Sequence, residues 1–155
     1  MLVLTFQVGR EAFALDLRRV REVVPRVRLR PASGAPDWLA GLFVYRGQVV
    51  PVLDLHRLAG GGECPPHLSR RIILVPHGGR DGAEGLLGLL ATQVADIREV
   101  SSDARPLTGL SGEAGADLGP VIADGPGLLR LLEPDRLLRG AAWRELLALP
   151  AEGRA

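Results

Sequence analysis

The sequence predicts an all-β protein. Three observations carry that reading: short apolar runs alternate with period two, glycine and proline turns separate them, and two patterns of the first half return in the second. No long stretch repeats at 3.6 residues until the C-terminal end. The 155 residues suffice for one ordinary domain or two very small ones sharing a core.

Taken in order, Leu2, Leu4, Phe6 and Val8 alternate with Val3, Thr5 and Gln7, and Gly9-Arg10 supplies a turn. Phe13, Leu15 and Leu17 continue the alternation as a hairpin partner carrying Asp16. Leu17, Val20 and Val24 fall at helical spacing until Pro25 stops the run, which reads as a short helical turn or a bent strand. Val27 and Leu29 alternate with Arg26, Arg28 and Arg30, a strand with one wet, basic face. A turn-rich loop follows over 31–36, and Asp37 caps one turn holding Trp38 and Leu39. Residues 42–45 and 48–53 form a hairpin hinged at Arg46-Gly47, where glycine accepts the positive φ of a tight turn. Pro51 cannot donate to a ladder and marks an edge or a bulge.

Gly60-Gly61-Gly62 opens a loop, and strands at 72–75 and 86–90 form another hairpin around the glycine-rich turn at 78–82. Residues 101–120 read as a long exposed loop. A last hairpin joins 121–123 to 128–132 through Asp124-Gly125-Pro126-Gly127. Pro134 then suits the first turn of a helix over 134–149, with Leu137, Leu138, Ala141, Ala142 and Leu146 as its apolar stripe.

The repeat is faint but ordered. Val20-Arg21-Glu22-Val23 returns as Ile97-Arg98-Glu99-Val100, and the pattern of 49–58 returns over 128–137. Residues 1–140 are therefore expected to form one domain of two β subdomains, meeting near residues 60–80 with strand exchange between them. Residues 134–155 are the C-terminal helix and tail. Neither subdomain is large enough to be comfortable alone, so the two should pack together and leave a groove.

Composition removes several function classes. The chain has no lysine and no asparagine, so a Walker A loop, Schiff-base chemistry and a serine–lysine dyad are excluded. Cys64 is the only cysteine, which rules out an intramolecular disulfide and a multi-cysteine zinc site, and it reads as an exposed, inert thiol. His56, His67 and His77 are scattered, and no metal or other cofactor is expected. The run 78–85 lacks the spacing and following helix of a phosphate cradle. Glu22 and Asp54 read as caps or ion-pair partners rather than a catalytic pair, so no enzyme is predicted. No apolar run is long enough to cross a bilayer and no signal peptide is evident, which predicts a cytoplasmic protein. Residues 1–80 carry twelve arginines against six acids, and 81–155 seven against twelve, an asymmetry that favours charged partners or head-to-tail self-association.

Phe6, Gly9, Ala14-Leu15-Asp16, Val20, Glu22-Val23, Pro36, Gly41, Arg46-Gly47, Pro51 and Asp54-Leu55 resemble, in order and spacing, the chemotaxis coupling-protein (CheW-like) family. The strongest stretch runs from Gly41 to Leu55, and weaker similarity continues through 88–100 and 121–138. The resemblance implies two five-stranded, SH3-like β-barrels around a shared core. It implies a non-catalytic adaptor that bridges the cytoplasmic tip of a methyl-accepting-type chemoreceptor and the regulatory domain of a chemotaxis histidine kinase. Receptor contacts carry over to Val20, Glu22, Gly41, Arg46, Val94 and Ile97 in the groove, and kinase contacts to the first barrel. Gly47, Pro51 and Asp54 are expected to be structural turn and hairpin residues. The chain would be recruited to membrane-associated receptor arrays without inserting in the membrane, with self-association or contact with other CheW-like domains as a further mode.

Val44 stands where the family often has asparagine, and Thr92 where it often has aspartate, which points to a divergent paralogue. Two alternatives come from other classes. One is a small β-barrel nucleic-acid binder using the arginines at 18, 19, 21, 26, 28 and 30, although interleaved aromatics are missing. The other is a structural array subunit that does not touch receptors.

Overall fold

The computed structural model describes residues 1–25, 27–62, 64–65, 69–78, 84–101 and 117–137. Strands β1 (Leu2–Val8) and β2 (Glu11–Asp16) form the expected first hairpin, with Phe6 opposite Phe13. Asp16 then accepts the Arg18 N–H at 3.0 Å and caps a single 3-10 turn over Leu17–Arg19, leading to the short strand β3 (Glu22–Val24). The ambiguous helical spacing of 17–24 thus resolves into a turn followed by a strand.

Strands β4 (Leu39–Tyr45) and β5 (Gln48–Asp54) pair across a two-residue turn in which Arg46 and Gly47 have φ of 49° and 80°. Two successive positive φ values match the right-handed twist of the hairpin arms. Helix α1 (Leu55–Leu58) follows directly, then β6 (Arg71–Gly78), the sixteen-residue β7 (Glu84–Glu99), β8 (Val121–Asp124) and β9 (Gly127–Leu131).

The strands run in the order β3-β6-β7-β1-β2-β9-β8, with β5 added parallel to β7 and β4 beyond it. β7 links the two halves. Residues 84–91 pair with β6, and 92–99 pair with β1. At the changeover, residues 92–96 of β7 stand opposite only 5–7 of β1, and Gln93 adopts a φ of 50°. That irregularity bends β7 and turns the β1 half over the β6 half.

The expectation of two closed five-stranded barrels is corrected here: the sheets do not close. β3 and β4 do not pair with each other, and among the described residues between them one bridge, Arg30 to Leu42, is formed. The strand expected at 27–29 does not form; among the described residues this segment meets a neighbouring strand only at the Arg30–Leu42 bridge. Among the described residues the outer edge of β8 has no strand partner. The C-terminal helix is corrected as well. Its described beginning, Pro134–Arg136, is one 3-10 turn without a side-chain cap, closed by Leu137 N–H to Pro134 O at 3.2 Å. Residues 138–149 of the expected helix lie outside the described residues, as do 102–116 of the expected loop and the turn at 79–83.

Three apolar layers hold the fold. The central one joins Leu4, Phe6 and Phe13 of the β1 half to Leu53, Ile73, Val75, Leu87 and Leu89 of the β6 half. Phe6 and Phe13 stack within it at 5.7 Å between ring centroids. Val24, Val50, Val52, Ile72, Leu74 and Leu90 form a second layer on the far side of the β6 half, and Val3, Ala14, Ile122 and Leu129 a third beyond the β1 half. Strand residues alternate between layers, so β6 and the first half of β7 are buried on both faces. This is why their sequences read as unbroken apolar runs.

Candidate functional site

The mouth of the central layer carries exposed aliphatic groups. Val23 lies opposite Ile73, and Ile97 opposite Leu4, and both partners belong to the central layer. Directly opposed residues share a sheet face, so Val23 and Ile97 sit on the inward faces of the two halves. Yet they are 37% and 59% exposed. Leu2, two residues before Leu4 on the same face, is 51% exposed. Val20 and Val94 pack against the central layer from its rim. Leu2, Val23 and Ile97 are therefore exposed aliphatic groups on the faces that carry the central layer, and Val20 and Val94 are partly buried against it.

Glu22 lies on the other face of β3, and Arg46 approaches it from the β4–β5 turn. Glu22 is opposite Leu74 of the second layer, and its carboxylate is 4.0 Å from the Arg46 guanidinium. Tyr45 packs against the same layer, with the Arg46 guanidinium 5.2 Å from its ring centroid. Burial of the Tyr45 ring and the neighbouring Glu22 carboxylate push its phenol above the ordinary value, and Arg46 and Arg21 oppose that shift. Arg46 itself is 79% exposed along its side chain.

The six residues singled out for partner binding thus divide. Val20 and Val94 pack against the central layer and Ile97 is exposed on the face that carries it, Glu22 and Arg46 stand beside each other, and Gly41 is buried inside β4. A β-carbon at Gly41 would stand 2.8 Å from Arg30 O and from Leu29 Cβ. Leu2 and Val23 were missed by sequence reading. Period-two alternation places each on an inward face, but only the tertiary arrangement shows that the layer stops short of covering them.

Pro51 and Asp54 are explained locally. Leu42 exchanges both its backbone hydrogen bonds with Arg30, so the residue opposite it, Pro51, turns its missing N–H toward β7. Pairing with β7 begins one residue later, at Val52. The buried Asp54 carboxylate accepts three backbone N–H groups: His56 at 2.9 Å and Arg57 at 3.4 Å on Oδ1, and Cys64 at 2.9 Å on Oδ2. It starts α1 and ties down the loop that follows. Cys64, expected to be exposed, is buried beside the second layer. At the positions that depart from the resemblance, Val44 is 58% exposed and the Thr92 hydroxyl donates to Gln7 O at 3.3 Å, pinning β1 at the bend of β7.

Asp54, His56 and Cys64 bring a carboxylate, an imidazole and a thiol within 4.8 Å of one another, a grouping to be tested as a metal site. The imidazole does not fit. Gly9 N–H donates to His56 Nε2 at 3.1 Å, so Nε2 is an acceptor and the proton of the neutral ring sits on Nδ1. That Nδ1 is the atom facing Asp54, at 3.8 Å, and a metal there would need its lone pair.

His56 instead supports an acid-sensitivity prediction. Burial holds its pKa below the ordinary imidazole value; Asp54 opposes that shift and Arg70 adds to it. Protonation would also turn the Gly9 acceptor into a donor. Because the folded pKa lies below the unfolded one, stability is fully present above about pH 6.5 and is lost as the pH falls toward the folded value. Urea midpoints at about pH 7.5 and about pH 5.5 check this. His56→Gln, which keeps an acceptor for Gly9, should lose less stability on acidification than the unsubstituted chain. Equal losses would place the acid sensitivity elsewhere.

A sequence model described as the CheW-like domain matches residues 2–142. The chain belongs to the CheW-like family. The chemotaxis protein CheW of Treponema pallidum is 25% identical over 160 residues, covering 95% of this chain and 87% of that protein. FrzA of Myxococcus xanthus is 32% identical over 145 residues, covering 90% and 86%. The crystal structure of the scaffolding protein TtCheW from Thermoanaerobacter tengcongensis superposes with a TM-score of 0.77 at 21% identity, over 91% of this chain and 89% of that one, and shows the same fold. As a CheW-like protein the chain is a non-catalytic adaptor of chemosensory signalling. The comparisons give no support to the nucleic-acid alternative. No helix among the described residues is long and apolar enough to cross a membrane.

Proposed function

We propose that this CheW-like chain binds the helical cytoplasmic tip of a chemoreceptor along the apolar rim that includes Val23 and Ile97, while Arg46, on the other side of edge strand β3, pairs a carboxylate elsewhere on the receptor. A second, distinct surface engages the regulatory domain of a chemotaxis histidine kinase. The mechanism is simultaneous occupancy, which raises the effective concentration of each partner for the other. The chain works in the cytoplasm and is recruited to receptor arrays at the membrane. The observation that carries the reading is the exposed aliphatic rim continuous with the central apolar layer: it suits the apolar face of an amphipathic helix, while a guanidinium suits the acidic residues beside it.

The test is capture of a cognate receptor-tip fragment and, separately, of the kinase regulatory domain. Arg46→Glu and Ile97→Asp should each weaken receptor capture by about ten-fold or more. Both are exposed, so folding should survive. Unchanged capture by both variants would reject the receptor reading in favour of an array subunit that does not touch receptors. Light scattering at low and high salt would then report self-association through the oppositely charged halves.

A further inference from the structure

The exposed arginine at the tip of the β4–β5 hairpin is held by its neighbour. Phe43 and Tyr45 lie on the same face of β4, in edge-to-face contact at 6.5 Å and 70°, and both pack against the second apolar layer. Tyr45 is thereby fixed from below. Arg46 follows it in a left-handed backbone conformation, φ 49°, that folds its side chain back over the Tyr45 ring at 5.2 Å. Such a conformation is uncommon for a residue other than glycine, asparagine or aspartate, and it persists where the surroundings over-determine it. The Glu22 carboxylate, on edge strand β3, stands 4.0 Å from the guanidinium and neighbours the Tyr45 side chain as well. The guanidinium has an aromatic face and an acid beside it, with most of its surface still in solvent.

We infer that Tyr45 is a positioning residue for Arg46: its ring holds the guanidinium in one orientation beside Glu22 and leaves the outer N–H groups aimed at solvent, ready to take a carboxylate of the partner. An unrestrained arginine loses much rotamer freedom when it forms a bidentate pair, and one already laid on an aromatic ring loses less. The nearby Arg21 adds positive charge to the same surface. The aromatic ring does here what a polar residue at position 44 cannot, since Val44 is an exposed valine on the opposite face of the hairpin. This rests on the reading of Arg46 as a partner contact, and it names what sets the geometry of that contact.

Two measurements on the intact chain test it. In the free protein, NMR should show the Arg46 Hδ protons shifted upfield by the Tyr45 ring current; Tyr45→Leu should remove the shift and Tyr45→Phe should retain it. In titration calorimetry against a receptor-tip fragment, Tyr45→Leu should weaken binding about three-fold and Tyr45→Phe should restore it. In an Arg46→Ala background, Tyr45→Leu should have no further effect. An unshifted Arg46 in the unsubstituted protein overturns the proposal, as does a Tyr45→Leu loss that persists in full without Arg46. If the unsubstituted chain does not bind the tip at all, the receptor reading fails by itself, and the ring-current shift still decides whether Tyr45 positions Arg46.

Discussion

Replacing Asp54 by alanine should cost about 3 kcal/mol or more, a large part of the stability of a domain this size. The carboxylate is buried, and its loss strands the N–H groups of His56, Arg57 and Cys64, two of them in buried bonds. It also removes the cap of α1, whose four residues have little helical stability of their own. Asp54→Asn separates charge from geometry. One amide oxygen can serve either the His56 and Arg57 pair or Cys64, and the NH2 group must then face a donor on the other side. Urea unfolding should therefore order the proteins as the unsubstituted chain, then Asn, then Ala. Midpoints that differ by less than about 0.5 kcal/mol equivalent would mean that water replaces the carboxylate, contrary to its burial.

Gly41→Ala should destabilise by about 2–4 kcal/mol, far more than its single methyl suggests. Gly41 follows a one-residue bulge in β4, has a φ of 154°, and lies against Arg30 O and Leu29 Cβ, where a β-carbon would sit 2.8 Å from each. The neighbour that would have to move is backbone, held by the two hydrogen bonds between Arg30 and Leu42 at 2.8 Å. Gly47→Ala is the control. Gly47 has a φ of 80°, and a methyl added there would meet nothing within 4 Å, so only the conformational cost of about 1 kcal/mol applies. Thermal or urea unfolding that ranked Gly47→Ala as the more damaging change would show that Arg30 gives way easily.

The hairpins were legible because each is local. Arg46-Gly47 and Asp124-Gly125-Pro126-Gly127 name their turns within a few residues, and the flanking apolar alternation names the strands. Helix α1 was not, since 55–58 reads equally well as the end of an apolar strand; the acid before it, at the N-cap position, was the available signal. β7 was expected only as 86–90. Its second half, with Gln93, Asp96 and Arg98, is too polar to read as a strand, and it forms because β1 supplies the ladder. Residues 27–29 failed in the opposite direction. Their alternation is right for a strand, but no neighbouring strand supplies a ladder, and among the described residues the segment has one bridge, Arg30 to Leu42.

The apolar rim shows the same division. Val20, Val94 and Ile97 entered through resemblance, and Leu2 and Val23 only through the arrangement of the halves. Nothing in the local pattern distinguishes the exposed Ile97 from the buried Leu4 opposite it. Cys64 is a comparable case: glycines and prolines around it suggest an exposed loop, yet the Asp54 carboxylate draws its N–H inward.

By itself the sequence determined the all-β class, the absence of lysine and disulfide chemistry, and the hairpins, because composition and period two are properties of the chain alone. The 15-residue stretch from Gly41 to Leu55 carried the family. The tertiary structure alone decided that the sheets stay open, that β7 bends at Gln93 to serve both halves, and that Arg46 rests on Tyr45 beside Glu22. Each of those outcomes depends on which distant strand supplies hydrogen bonds and apolar cover, and no local pattern carries that information.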